Sequence, residues 1–138
     1  MYWSDWGAVA KIESASMDGR NRRVIHNTDL IWPNGLTLDH SQQILYWNDA
    51  SLDKIESSRV DGSNRRIVSN QQIYRPFGIS VYRNRLYFTD LSVGVNTIPL
   101  VNGVGSVDTV LDSLCDNIVG IEVVSIERQP AGITTEHF

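Results

Sequence analysis

Three carboxylates recur at one place in the sequence. Asp5, Asp49 and Asp90 close the tetrads Tyr2-Trp3-Ser4-Asp5, Tyr46-Trp47-Asn48-Asp49 and Tyr87-Phe88-Thr89-Asp90. Carboxylates converging on one axis could hold a cation. A group repeated in every unit reads better as one structural job done each time: ending a strand and accepting hydrogen bonds from neighbouring backbone. Tyr2, Tyr46 and Tyr87, with Trp3, Trp47 and Phe88, read likewise as apolar core between units. A covalent catalyst would need a nucleophile with a basic partner. Cys115 has no base nearby, and the serines and threonines have no His at a readable spacing. No phosphate-binding glycine loop and no zinc spacing occurs. No catalytic residue, metal or cofactor is assigned.

The non-repeated residues are more informative. Trp32 and Asn34 stand where the next unit has Arg75 and Phe77, with Tyr74 beside them. Aromatic and Arg side chains are frequent anchors of binding surfaces. Trp32, Asn34, Arg75 and Phe77 are therefore the candidate ligand-binding residues. Ten of the twelve basic residues are Arg. Arg20, Arg22, Arg23, Arg65 and Arg66 cluster beside Asp-Gly turns and read as solvated residues on an outer edge. His26 and His40 fall in expected loops, and an ordinary His titrates in the endosomal range.

The elements that carry these residues repeat. Lys11-Ile12-Glu13-Ser14 returns as Lys54-Ile55-Glu56-Ser57, and Asp18-Gly19 returns as Asp61-Gly62. Pro33-Asn34-Gly35-Leu36 returns as Pro76-Phe77-Gly78-Ile79, and the glycine series continues to Gly120. The offset is about 43 residues, the size of a propeller blade of four antiparallel strands. The runs are short, alternating and rich in β-branched and aromatic residues. Asp-Gly marks a hairpin turn, and Pro33 and Pro76 sit before strands, where no ladder donor is lost. The fold class is all-β, a partial propeller of about three blades over 1–130 with a tail at 131–138. The repeats lie near 1–31, 32–74 and 75–115, with one final strand at 116–126. Three blades cannot close a ring, since propellers have ~4–8. Further blades of a longer polypeptide, or a second copy, are expected to complete it.

With 41% apolar and 20% charged residues the 138-residue chain is ordinary globular material. A net charge of −4 does not suggest a nucleic-acid partner. No apolar run is long enough to insert in a membrane. The lone Cys115 excludes an internal disulfide and by itself leans intracellular.

The Tyr-Trp-(Thr/Ser/Asn)-Asp tetrad resembles the YWTD repeat of the low-density lipoprotein receptor and its receptor-related members. The likeness covers about residues 1–130, and Phe88 stands for the third Trp. It implies the C-terminal half of a six-bladed propeller. It also implies an extracellular place, in a secreted or single-pass membrane protein, which outweighs the cysteine argument. In the family an EGF-like module follows, and 131–138 holds no cysteine. The Trp32-Pro33-Asn34-Gly35 match to propellers that bind Wnt-pathway ligands implies that Trp32 forms a wall and Asn34 pairs with a ligand's amide or main chain. The function so implied is recognition of an extracellular protein or peptide, without catalysis. Two alternatives stand beside it. Six-bladed lactonases resemble the repeat and use a Pro-Asn-Gly Asn as a metal ligand, which Asn34 would match. The module could also be a structural spacer.

Overall fold

The structure is a computed structural model describing residues 1–100, 106–112 and 118–124. Asn102-Gly103, Cys115, Asp116, Asn117 and the 131–138 tail lie outside the described residues. The described chain is β-strand, turn and bend, in three antiparallel sheets. The first holds β1 (Tyr2–Asp5), β2 (Lys11–Ser14) and β3 (Arg23–His26). The second holds β4 (Pro33–Asp39), β5 (Ile44–Asp49), β6 (Lys54–Arg59) and β7 (Arg66–Ser69). The third holds β8 (Pro76–Tyr82), β9 (Arg85–Asp90), β10 (Gly94–Pro99) and β11 (Asp108–Asp112). Strands pair in sequence order, as in propeller blades. Each blade carries the same slip in register, at Ile12/Glu13, Ile55/Glu56 and Val95/Asn96.

The tetrad has a division of labour set by strand alternation. Its aromatic pair points to opposite faces of the blade. Tyr46 joins Ile79, Val81, Leu86 and Phe88 in the core shared with the third blade. Trp47 joins Ile12 and Leu45 in the core shared with the first. Trp47 is fully buried. Covering ~150–250 Å² of aromatic surface is worth roughly 4–6 kcal/mol of transfer free energy. The third position ties inner strands together. Asn48 accepts from Gly35 N at 2.9 Å and donates to Phe77 O at 3.1 Å. Ser4 Oγ donates to Asn34 O at 2.9 Å, and Thr89 Oγ1 accepts from Gly78 N at 2.8 Å. The fourth position gathers amides. Buried Asp49 accepts from Ile31 N, Trp32 N, Ser51 N and Leu52 N at 2.7–3.1 Å. Asp90 accepts from Tyr74 N and Ser92 N, and Asp5 from Gly7 N.

Two expectations about charged residues are corrected. Arg22 and Arg65 are not merely solvated turn residues. The Arg22 guanidinium lies 5.2 Å over the Trp3 ring, and Arg65 lies 5.5 Å over Trp47. Each also makes a two-pronged bond to a buried glutamate, Arg22 to Glu13 at 2.9 and 2.6 Å and Arg65 to Glu56 at 3.0 and 2.8 Å. A planar guanidinium suits both contacts at once. Arg65 further donates to Thr28 O and Asp29 O, and Lys54 to Asp29 O, so this cluster clamps the connector between the first two blades. Burial opposes the charge on Glu56, but Arg65 and Lys54 outweigh it and hold the carboxyl below its ordinary range. Arg22 does the same for Glu13. Among the described residues the third blade lacks this device: Phe88 stands opposite Asn96, whose Oδ1 accepts from Thr109 and whose buried Nδ2 has no partner there.

His26 is the second correction. It ends β3 rather than lying in a loop, because the slip at Ile12/Glu13 brings it opposite Ile12. Its ring packs on Trp47 with centroids 4.9 Å apart, and Nε2 meets Ser58 Oγ at 3.0 Å. Burial, and then the nearby Arg65 charge, lower its pKa below the ordinary 6.5, with Glu56 opposing. The unfolded chain therefore takes up this proton first as pH falls. Stability from His26 is complete above 6.5 and is lost as pH drops through the lower folded value. A Tm series should show a decline beginning below pH 6.5 that shrinks in His26→Phe. Equal declines in both chains down to the carboxylate range would rule this junction out as the sensor.

Candidate recognition face

The four candidate residues meet on one face of the sheets. Trp32 and Asn34 enter β4, and Arg75 and Phe77 enter β8. Together with Trp6, Ala50 and Leu91 they line a cavity of about 420 Å³. The entry backbone is fixed by the tetrads. Asp49 receives Trp32 N, and Ala50 N donates to Trp32 O at 3.0 Å. Asp90 receives Tyr74 N, and Leu91 N donates to Arg75 O at 3.3 Å. Arg75 N donates to Asp53 Oδ1 at 2.9 Å, and Arg75 itself is held at φ 59°. A left-handed non-glycine residue costs on the order of 1–3 kcal/mol and persists only where its surroundings impose it.

The walls are apolar and open to solvent. Trp6 is 62% exposed, Trp32 52% and Phe77 37%. Among the described residues, neither the Asn34 side-chain amide nor the Arg75 guanidinium has a hydrogen-bond or ion-pair partner. The cavity thus offers aromatic surface with one amide and one cation available at its rim. None of its described lining residues carries a carboxylate. Tyr74, expected on this face, is exposed but is not among the lining residues. Trp6, Ala50 and Leu91 escaped the sequence reading. Their signal was positional: each directly follows a tetrad aspartate, at Asp5, Asp49 and Asp90.

A profile of the low-density lipoprotein receptor repeat class B matches residues 1–40 and 43–82. The chain belongs to that family. Within it, the chain is 47% identical over 98 residues to a vitellogenin receptor of Solenopsis invicta, covering 70% of this chain and 6% of that protein. It is 41% identical over 90 residues to the vitellogenin receptor Yl of Drosophila melanogaster, covering 65% and 4%. It is 48% identical over 52 residues to a human low-density lipoprotein receptor-related protein 5-like protein, covering 38% and 21%. The class B repeat chain therefore spans a small part of these relatives. Among solved structures, a chain of a nidogen/laminin complex aligns with TM-score 0.52 at 28% identity, over 72% of this chain and 54% of that one. A luciferin-regenerating enzyme aligns with TM-score 0.67 at 14% identity, over 84% and 42%. A gluconolactonase of Xanthomonas campestris aligns with TM-score 0.58 at 22% identity, over 76% and 36%. At their level of identity the two enzymes speak for the fold alone.

Proposed function

We propose that this class B repeat segment is a non-catalytic recognition module that takes an extracellular protein or peptide on the face lined by Trp32, Asn34, Arg75 and Phe77. The observation that carries the reading is the convergence of these residues on one open cavity, with the Asn34 amide and the Arg75 guanidinium unengaged among the described residues. Apolar ligand groups would fill the space between Trp6, Trp32 and Phe77. Asn34 would bond a ligand amide, and Arg75 an acceptor oxygen. Receptor relatives support this role over hydrolysis. The parent would be a receptor-related protein of the endocytic or Wnt co-receptor kind, with the module outside the cell, further blades around it and an EGF-like module after it.

The test is a panel of peptides selected from a random library on the purified chain. Trp32→Ala and Asn34→Ala should each weaken the selected peptides about 10–30-fold, the range of interface hot spots. The circular dichroism spectrum should stay unchanged. Peptides that bind both variants as tightly as the parent chain would place recognition elsewhere and sink the assignment.

A further inference from the structure

Of the two Asn-Gly pairs in the sequence, Asn34-Gly35 lies among the described residues, and Asn34 stands on the wall of the cavity. Such a pair can react with itself. The glycine nitrogen gives up its proton and attacks the asparagine Cγ. A C–N bond forms, and the displaced amide nitrogen leaves as ammonia. Water then opens the cyclic imide at either carbonyl, giving aspartate or isoaspartate. Glycine makes this ring easy to close, since no side chain crowds the nitrogen and its backbone turns freely. No reactant but water is needed. The glycine nitrogen must be free, however, and the backbone beside it must be able to turn.

The structure withholds both. In the β4/β5 ladder Pro33 pairs with Asp49 and Leu36 with Trp47, so Asn34 and Gly35 together face Asn48 alone. Two residues against one make a β-bulge, which takes backbone groups out of the ladder. Gly35 N donates instead to a side chain, Asn48 Oδ1, at 2.9 Å. Asn48 is fully buried, and its Nδ2 donates to Phe77 O at 3.1 Å, so the acceptor is fixed in place. Packing adds a second restraint. A Cβ on Gly35 would stand 2.3 Å from Phe77 O and 3.0 Å from Ile79 N, which leaves the Gly35 backbone no room to swing. The third blade has the same bulge without the reactive amide. There Gly78 N donates to Thr89 Oγ1 at 2.8 Å, and the residue before the glycine is Phe77.

We propose that Asn34-Gly35 is a latent self-modification site and that the Asn48 side chain is the latch that keeps it closed. When the latch opens, the amide at the cavity rim becomes a carboxylate. An aspartate there shares one cavity with the Arg75 guanidinium, which has no ion-pair partner among the described residues. Opposite charges attract, so amide and cation are both withdrawn from the rim. Isoaspartate does more. It lengthens the main chain by one carbon at the bulge, where Phe77 O and Ile79 N already leave no space. Neither product returns to asparagine, so the change runs one way. The covalent state of residue 34 can be read with no ligand present, so this chemistry stands or falls apart from what the cavity binds.

The test is incubation of the 138-residue chain in mildly alkaline buffer, below its melting temperature, followed by peptide mapping in a mass spectrometer. Asn34 should lose ammonia far more slowly in the folded chain than in the chain unfolded with urea. Asn48→Thr and Asn48→Val have nearly the same shape, but only Thr keeps an acceptor, as Thr89 does for Gly78. The Val variant should modify about tenfold faster than the Thr variant, the factor that about 1.4 kcal/mol of lost hydrogen bonding supplies. Exchange of the Gly35 N–H should quicken with it. Leu86→Ala is the stability control, since it hollows the core of the third blade and leaves the latch untouched. Its rate at Asn34 should match that of the Thr variant. Equal rates in the Thr and Val variants overturn the proposal. Acceleration by Leu86→Ala as large as by Asn48→Val overturns it too, by making general loosening the gate. So does a folded parent chain that modifies as fast as the unfolded one, a comparison that needs no variant.

Discussion

Asp49→Ala should lose about 3 kcal/mol or more of unfolding free energy, since each buried donor left without a partner costs ~1–3 kcal/mol. Four backbone amides converge on this carboxylate, and the residue is fully buried. Two of the four belong to the turn after β5, where water can replace the lost bonds. The other two, Ile31 N and Trp32 N, hold the entry to β4. The loss should therefore appear in two places, as lower stability and as a loosened Trp32. Denaturant unfolding reads the first, and amide exchange at residues 31 and 32 reads the second. Asp18→Ala is the control. That carboxylate is exposed and accepts from Arg20 N in its own turn, at 3.0 Å. A loss at Asp49 no larger than at Asp18 would remove the tetrad aspartate from its role as the anchor of the β4 entry.

Gly35→Ala should be comparably damaging for a different reason. The added methyl would stand 2.3 Å from Phe77 O, a backbone atom that cannot swing aside. Phe77 O is also the acceptor for Asn48 Nδ2, and Asn48 in turn receives Gly35 N. Moving the two inner strands apart to admit the methyl breaks that bridge. Overpacking alone costs ~1–3 kcal/mol, and the broken bond to a buried amide adds a further ~1–3 kcal/mol. Asn48→Ala is the companion variant. If the bridge is part of the cost, the double variant will lose less than the sum of the two single losses, as neighbouring sites do. Full additivity in denaturant unfolding would show that clash and bridge are independent.

The all-β repeat was legible because its cues are local. The tetrads, the Asp-Gly turns and the prolines that open β4 and β8 each act within one blade, and the 43-residue period multiplies them. The candidate face was legible as far as it rests on positions that break the repeat, as Trp32, Asn34, Arg75 and Phe77 do. What stayed hidden depends on contacts between residues far apart along the chain, within a sheet as well as between sheets. Arg22 and Arg65 look like turn residues along the chain, and only the fold lays them over Trp3 and Trp47. His26 looks like a loop residue until the slip at Ile12/Glu13 is known, because one extra residue in a ladder changes which side chains oppose each other. Trp6 joins the face only because the strand it follows ends at the mouth of the same cavity.

The placement of the four tryptophans has a spectroscopic consequence. Trp47 is sealed in the core between the His26 ring and the Arg65 guanidinium, while Trp6 and Trp32 stand in water on the cavity wall. A shielded indole emits at shorter wavelength than a hydrated one, and a protonated imidazole in contact quenches it. The blue edge of the emission therefore reports on the junction between the first two blades. The red edge reports on occupancy of the cavity. With no label attached, one spectrum would follow acid loosening of the scaffold and ligand arrival at its face as separate signals.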